Sequence, residues 1–483
     1  MSTILDKRGN KEKCQKFTPV RIVNSMLDLA GYRHELRGKR LLENSFGSGN
    51  ILKCIVERYI IDSLAHCVSK AEISEGLSAD IWGAEIDREV YLSCLKTLNA
   101  VVQKYSLPPV EWNLFNRDSL KWDPGVKFDF VIGNPPYIAY VDIDEDSKLW
   151  IKEKYTSCSV GKFDYCYAFI EAGLKLLNDR GKMVLLVPNS IYKNVFGEKI
   201  REQLHDCIEE IWEYPDIKMF EDTLTSSSIF LYNKMCQNDY IVYHNKREER
   251  TLKIYRDALS EKWVFDDKRS NTENGLRFGD YYHASSAVAT LFNKAYIISG
   301  SLANDTIEMS ILRPAAAPKN LRHEKEEYII FPYRYDENGL MHYSCQEFEE
   351  QFPKATKHLR LYKEQLQNRS KDKSISWFEY GRSQALAHLN QRKLLISTVI
   401  TSSVEIYDLD ELTIPYCGIY ITPKGTSYTL QQALTLLKSK KFYEYVMALG
   451  VSVSGKSKRI TCKDVCSFVF NEEDMNGAAS LCN

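Results

Sequence analysis

The run Phe128-Asp129-Phe130-Val131-Ile132-Gly133-Asn134-Pro135-Pro136-Tyr137 decides how this chain folds. Its first six residues are an almost unbroken apolar stretch, the pattern of a strand buried on both faces. The next four end it abruptly, because proline has no N–H to give a sheet ladder. Asn134 precedes one proline and Pro135 precedes another, so both are held in extended backbone. The result is a stiff loop at the carboxyl end of a strand, the edge of an open α/β sheet where ligands bind. It presents a side-chain amide, backbone carbonyls and an aromatic ring together. That set can accept two hydrogen bonds from an NH2 group and stack on the flat molecule carrying it, which suggests the exocyclic amine of a nucleobase. A plain turn is the competing reading, since Asn and Pro are common turn residues.

Upstream, Leu41-Leu42-Glu43-Asn44-Ser45-Phe46-Gly47-Ser48-Gly49-Asn50 reads as a short strand ending in an acid, then a glycine-rich turn leading into a helix. Glycines there let the backbone approach a ligand closely. Ile81-Trp82-Gly83-Ala84-Glu85-Ile86-Asp87 is a second strand with an acidic tip, suited to the two hydroxyls of a ribose. Trp112-Asn113-Leu114-Phe115-Asn116-Arg117-Asp118 is a third. Any one of these is more often solvated surface than site. Four tips in this order, spaced as βαβ units, predict an α/β domain with a parallel sheet.

These motifs resemble the class I S-adenosylmethionine-dependent methyltransferases, and more narrowly the gamma-class N6-adenine DNA methyltransferases, the TaqI-like and Eco57I-like group. Gln15-Lys16-Phe17-Thr18-Pro19 is similar to the family's motif X, Glu43 to Asn50 to motif I, Glu85-Ile86-Asp87 to motif II, and Asn116-Arg117-Asp118 to motif III. Asn134 to Tyr137 matches motif IV in full, and Gly181 to Ser190 is similar to the strand after motif V. The chain departs from the pattern at Asn44, where motif I usually has proline. The stretch from Glu43 to Glu85 is also long, so an extra helix is expected there, around Ile51 to Leu64.

The resemblance implies a Rossmann-like catalytic domain over 1–240 that binds S-adenosylmethionine, followed by an α+β DNA target-recognition domain over 241–483. It implies that Asn134 and Pro135 accept the two hydrogens of the target amine while Pro136 stiffens the loop. Tyr137 would stack on a base turned out of the duplex, and an aromatic from Lys218-Met219-Phe220-Glu221, taken as Phe220, would meet the base edge. Ordinary core packing is an equally good reading of Phe220. For the cofactor, the resemblance gives Glu85 the ribose, Ile86 a face of the adenine and Asp118 the adenine amine. Thr18 and Glu43 would lie near the methionine moiety, and Pro19, Gly47, Gly49 and Asn134 also belong to the cofactor site that the resemblance implies.

Composition neither supports nor opposes a nucleic-acid partner. The chain has 483 residues, with 64 Lys and Arg against 65 Asp and Glu, so any DNA cleft must come from local arrangement. The 13 cysteines include no Cys-x-x-Cys pair, which suits a reducing cytoplasm and argues against a zinc site or a disulfide framework. Cys462 and Cys466 read as buried thiols on one helical face. The nine histidines do not cluster along the chain. No signal peptide and no apolar run of membrane-spanning length is present.

After Tyr232 the βα rhythm fades, and residues 237–275 are polar, as at a domain boundary. Beyond them, Tyr380-Gly381-Arg382-Ser383-Gln384 offers groups for phosphates or base edges, and Lys456, Lys458 and Arg459 form a basic patch. For each of these residues a solvated surface is the competing reading. The expected partner is double-stranded DNA, acted on by a monomer. Too little chain precedes Gln15 for a nuclease domain there, so any companion restriction endonuclease is expected as a separate protein. Three alternatives stand: a release-factor glutamine methyltransferase, an RNA adenine methyltransferase using the same loop, and a non-catalytic DNA-binding subunit.

Overall fold

A computed structural model describes residues 18–214, 226–265, 275–300, 306–337, 339–369, 371–372, 375–426, 428–453 and 456–475. The chain divides into two compact units, residues 1–270 and 271–483.

The first unit is built on a nine-stranded sheet. Its strands are β1 (Leu41–Glu43), β2 (Ile81–Glu85), β3 (Asn113–Asn116), β4 (Phe128–Gly133), β5 (Leu177–Pro188), β6 (Ile208–Tyr214), β7 (Ser227–Asn233), β8 (Tyr240–Asn245) and β9 (Arg250–Tyr255). They lie in the order β3-β2-β1-β4-β5-β7-β6-β8-β9. The first five are mutually parallel; β7 runs antiparallel to both β5 and β6. The chain walks outward from β1 to β3, then returns past β1 to lay down β4. That reversal opens a crevice at the carboxyl ends of β1 and β4.

Apolar side chains of the central strands alternate between two cores, as a period-two backbone requires. On β5, Val184 and Leu186 enter one core while Met183, Leu185 and Val187 enter the other. On β7, Ile229 and Leu231 oppose Phe230 in the same way. The first core is closed by α1 (Val20–Ala30), α2 (Asn50–Ala65), α3 (Lys70–Asp80) and α4 (Arg88–Lys104), and the second by α5 (Glu145–Lys154), α6 (Cys166–Leu176) and α7 (Glu198–His205). This is the expected α/β, Rossmann-like architecture.

Two expectations need correction. The helix at Ile51 to Leu64 is the ordinary crossover α2; the extra helix is α3, begun by a Ser69–Glu72 capping box. The boundary at 240/241 also falls too early. Strand β8 pairs in parallel with β6 and β9 antiparallel with β8, so the unit continues to Ser270. Strand β9 is largely exposed and the turn between the two strands, Lys246 to Glu249, is charged, which is why the segment reads as linker.

The second unit is α+β, with small, mostly antiparallel sheets. One joins 282–286, 419–423, 393–396 and 406–409; another joins 297–299, 327–330, 312–316 and 414–415. Two further apolar cores fill it. His283 and His388, distant in sequence, stack with ring centroids 4.3 Å apart. Cys462 and Cys466 share the helix Cys462–Cys466 as expected, but both are partly exposed free thiols rather than buried ones. No helix among the described residues is long and apolar enough to cross a membrane.

Candidate active site

The acidic tips and the Asn134 loop meet at the carboxyl edge of the first unit's sheet. Strand β1 delivers Glu43, which is only 2% exposed and has an Oε2 with no hydrogen-bond partner. Burial pushes its carboxyl well above the usual carboxylate range, and the neighbouring Glu85 pushes it the same way. Asn44, at the position where the resemblance expects proline, is buried and donates from Nδ2 to the Phe169 carbonyl at 3.1 Å. That bond ties the β1 tip to α6 and replaces the stiffness a proline ring would give.

The glycine turn then leads into α2. Gly49 has φ +86°, and a Cβ there would stand 2.5 Å from Cys94 Sγ, so only glycine fits both the backbone and the space. Gly47 is also left-handed at φ +53°, but nothing lies within 4 Å of where its Cβ would be. Its amide donates to Glu85 Oε2 at 3.0 Å.

Strand β2 ends in Glu85, whose Oε1 accepts from the Asp87 amide at 2.9 Å. Burial raises this carboxyl too, against the lowering effect of those amides. The Ile86 amide also interacts with this carboxyl, and its remaining acceptor capacity is open to other donors. Asp87 caps α4, accepting from Glu89 N and Val90 N. Ile86, between them, is 46% exposed, an apolar side chain left at the strand tip. Asn116 on β3 donates to the carbonyls of Glu85 and Ile86 at 2.9 and 3.0 Å and fixes that tip. Asp118 accepts from Leu120 N and lies 3.8 Å from Lys121 Nζ.

Strand β4 brings Gly133 against Glu43; a Cβ on Gly133 would lie 3.5 Å from Glu43 Cγ. Asn134 follows. Its Nδ2 donates to Thr18 Oγ1 at 3.2 Å, and its Oδ1 is buried with no protein partner. Ser45 Oγ stands 3.5 Å from the Asn134 carbonyl, a long contact between the β1 and β4 tips. Pro135 is buried and Pro136 half-buried. The Tyr137 hydroxyl donates to the Leu186 carbonyl on β5 at 2.9 Å, which anchors the far end of its ring. Burial raises this phenol well above its ordinary pKa, with Cys166 and Asp164 adding to the effect.

The sequence-predicted set from Thr18 and Pro19 through Glu43, Gly47, Gly49, Glu85, Ile86, Asp118 and Asn134 to Tyr137 is therefore assembled along one sheet edge. Phe220 lies outside the described residues. Sequence reasoning noted Asn44 only as a departure from the pattern and gave no role to Ser45. It also missed Asn189, after β5, whose Nδ2 donates to Glu213 Oε1 at 2.7 Å and whose own Oδ1 is buried without a partner. A polar residue just past an apolar strand was the available signal for Asn44, Ser45 and Asn189.

The proposed DNA contacts of the second unit are arranged differently. Arg382 pairs with Asp372 at 2.6 Å, and Asp372 also accepts from Ser383 N. Lys458 donates to Ser452 Oγ at 2.7 Å, while Lys456 and Arg459 are exposed. Among the described residues, no group of three or more His, Cys, Asp and Glu could hold a metal.

The first unit's edge is rich in acceptors: Glu43, Glu85 and Asn134 each keep capacity for a donor. The glycine turn beside them is open at Gly47. A ligand that fits carries several N–H and O–H groups and no excess of negative charge.

Comparison with known proteins gives this edge a lineage. The family model described as Eco57I restriction-modification methylase matches residues 77–220. Over 486 aligned residues the chain is 24% identical to Type II methyltransferase M.BstVI of Geobacillus stearothermophilus, covering 88% of this chain and 84% of that one. It is 23% identical to Type II restriction enzyme and methyltransferase RM.Eco57I of Escherichia coli over 68% of this chain, spanning only 39% of that relative's length. Among solved structures, the Type IIL restriction-modification enzyme MmeI in complex with DNA matches with a TM-score of 0.61 at 13% identity. That match covers 95% of this chain and 66% of that one, and the likeness is one of fold.

Proposed function

We propose, from the premise that this chain is an Eco57I-family restriction-modification DNA methyltransferase, that it methylates the N6 amine of an adenine turned out of duplex DNA. The observation that carries this reading is the buried, unpartnered Oδ1 of Asn134 on a proline-stiffened loop. An amide oxygen so placed is an acceptor held ready for a donor, and leaving it unmet costs about 1–3 kcal/mol.

The amine of adenine is a weak nucleophile because its lone pair is delocalised into the ring. Asn134 Oδ1 and the Pro135 carbonyl accept its two hydrogens, drawing the nitrogen toward tetrahedral geometry and localising that lone pair. Tyr137, anchored by its hydroxyl to Leu186, offers a ring face to the base and recovers part of the unstacking cost of a few kcal/mol. Rate enhancement then comes from position and from acceptors placed in advance.

The acceptors along the edge fit S-adenosylmethionine. Glu85 suits the ribose hydroxyls, Ile86 a ring face, Asp118 the adenine amine, and Glu43 and Thr18 the methionine end, over the turn at Gly47 and Gly49. When bound, this cofactor supplies a methyl group on a sulfonium, a good leaving group that needs no covalent enzyme intermediate. In the second unit, Arg382, Ser383, Lys456, Lys458 and Arg459 are assigned to DNA, with the residues after 270 as the target-recognition domain. The enzyme acts as a cytoplasmic monomer.

The test is transfer of labelled methyl from S-adenosylmethionine to plasmid DNA, followed by nucleoside analysis, with Asn134→Ala as control. Label in N6-methyladenine that the control lacks supports the reading. Label in RNA or in a release-factor glutamine, with none in DNA, replaces it.

A further inference from the structure

We propose that Glu43 makes the cofactor site sensitive to charge: it is protonated in the free protein and gives up that proton when S-adenosylmethionine binds. The inference rests on the reading of this edge as a cofactor site and adds a specificity to it. The cofactor carries a sulfonium, whereas the S-adenosylhomocysteine left after methyl transfer carries a neutral thioether. A carboxylate that forms only beside positive charge favours the first over the second. The same residue therefore helps to hold the cofactor and to loosen the product.

The paired strands β1 and β2 each end in a carboxyl, and the backbone treats the two differently. Glu85 accepts from the Gly47 amide at 3.0 Å and the Asp87 amide at 2.9 Å, and the Ile86 amide also acts on it. Donors of this kind favour a charged carboxylate. Glu43 is 2% exposed, has the Leu52 amide as its backbone donor and leaves Oε2 without a partner. Of two neighbouring carboxyls in unlike surroundings, the one with fewer donors keeps the proton. The titratable groups facing Glu43 are Glu85 from β2, Cys54 from α2 and Cys94 from α4, while Gly133 brings only backbone from β4. Burial pushes both thiols up, so they stay neutral. None of these groups, among the described residues, is a cation that could hold Glu43 ionised. The positive charge that arrives with S-adenosylmethionine does so. The Glu43 O–H bond then breaks and its proton passes to solvent. Methyl transfer removes the sulfonium charge, and the O–H bond re-forms as the product leaves.

Calorimetric titration in two buffers of unlike ionisation enthalpy counts the protons. At about pH 6.5, where an α-amino group stays charged, the wild type is expected to release about one proton per S-adenosylmethionine bound and clearly fewer per S-adenosylhomocysteine. Glu43→Gln keeps the shape of the side chain and cannot ionise. It is expected to bind without proton release, and its preference for S-adenosylmethionine over S-adenosylhomocysteine to fall at least about tenfold. Equal proton counts for wild type and Glu43→Gln overturn the proposal, as do equal counts for the two ligands. Release that survives Glu43→Gln and is lost in Glu85→Gln puts the proton on the wrong carboxyl and also overturns it. If Glu43→Gln fails to fold or binds too weakly to titrate, infrared difference spectra of the wild type decide. The C=O band of a protonated carboxyl is expected to disappear on adding S-adenosylmethionine and to persist with S-adenosylhomocysteine; a band that S-adenosylmethionine leaves unchanged overturns the proposal. Wild type that binds neither ligand ends the parent reading and this one with it. Wild type that binds S-adenosylmethionine without releasing a proton ends this one alone.

Discussion

The two units place the side chains assigned to function in opposite ways. In the first, site residues converge on one sheet edge and several are left unsatisfied: Glu43 Oε2, Asn134 Oδ1 and Asn189 Oδ1 are buried with no protein partner. In the second, the side chains proposed for DNA are mostly engaged, Arg382 by Asp372 and Lys458 by Ser452. Buried unmet acceptors are costly and persist where a ligand or a reaction uses them. Surface cations paired with a carboxylate or a hydroxyl cost almost nothing to hold. The first pattern therefore speaks of chemistry, whereas the second is shared by DNA-binding and ordinary surfaces.

The sharpest way to break this contrast is at Asn134. Asn134→Ala removes the acceptor and is expected to lower methyl transfer at saturating S-adenosylmethionine by at least about a hundredfold. Near-normal turnover would show the unmet oxygen to be incidental.

The glycine turn gives the next largest effect. Gly49→Ala meets both a left-handed backbone and Cys94 Sγ, whereas Gly47→Ala meets the backbone penalty alone. The first is expected to cost about 2–4 kcal/mol in unfolding free energy and the second about 1 kcal/mol. Chemical denaturation would measure both, and equal losses would mean that Cys94 moves aside freely.

Glu43 tests whether the acceptor edge is held at a cost to stability. Its carboxyl is raised in the folded chain, so the folded state binds that proton more tightly than the unfolded state does. The stability it contributes is fully present below the ordinary carboxylate pKa and is lost as pH rises through the folded value. Glu43→Gln should therefore melt higher than wild type near neutrality, with the gap closing as pH falls, and should bind cofactor more weakly. Melting curves across pH that stay parallel for the two proteins would contradict this.

The smallest effects belong to the second unit. Lys456→Ala and Arg459→Ala are each expected to lower the salt slope of DNA binding by about one. Asp372→Ala, which releases Arg382, is expected to strengthen binding modestly. If Arg382→Ala instead weakens binding more than the two exposed cations do, the pair with Asp372 opens on DNA and the contrast between the units narrows.

Much of the first unit was legible because strands buried on both faces must be apolar throughout and must stop at their tips. The run from Phe128 to Gly133, the acid at Glu43 and the glycine turn carry those signals locally. The edge strands β8 and β9 carry no acidic tip or glycine turn; β9 is exposed at four of its six residues, and a half-solvated edge looks like a linker. Pairings across long sequence distances were equally hidden. Nothing near Asn134 announces Thr18, nothing near Asn44 announces the Phe169 carbonyl, and Arg382 does not reveal that Asp372 neutralises it. Residue types mark where a site lies, while the fold decides which of their atoms remain available.

Single-molecule sequencing of plasmid DNA from a methylation-free host expressing this chain tests the central claim most directly, with Asn134→Ala alongside. N6-methyladenine confined to one sequence motif and absent with Asn134→Ala is the predicted result. N4-methylcytosine in a motif would keep the mechanism and change the base. Unmodified DNA from folded protein that binds S-adenosylmethionine, or modification that survives Asn134→Ala, would contradict the account.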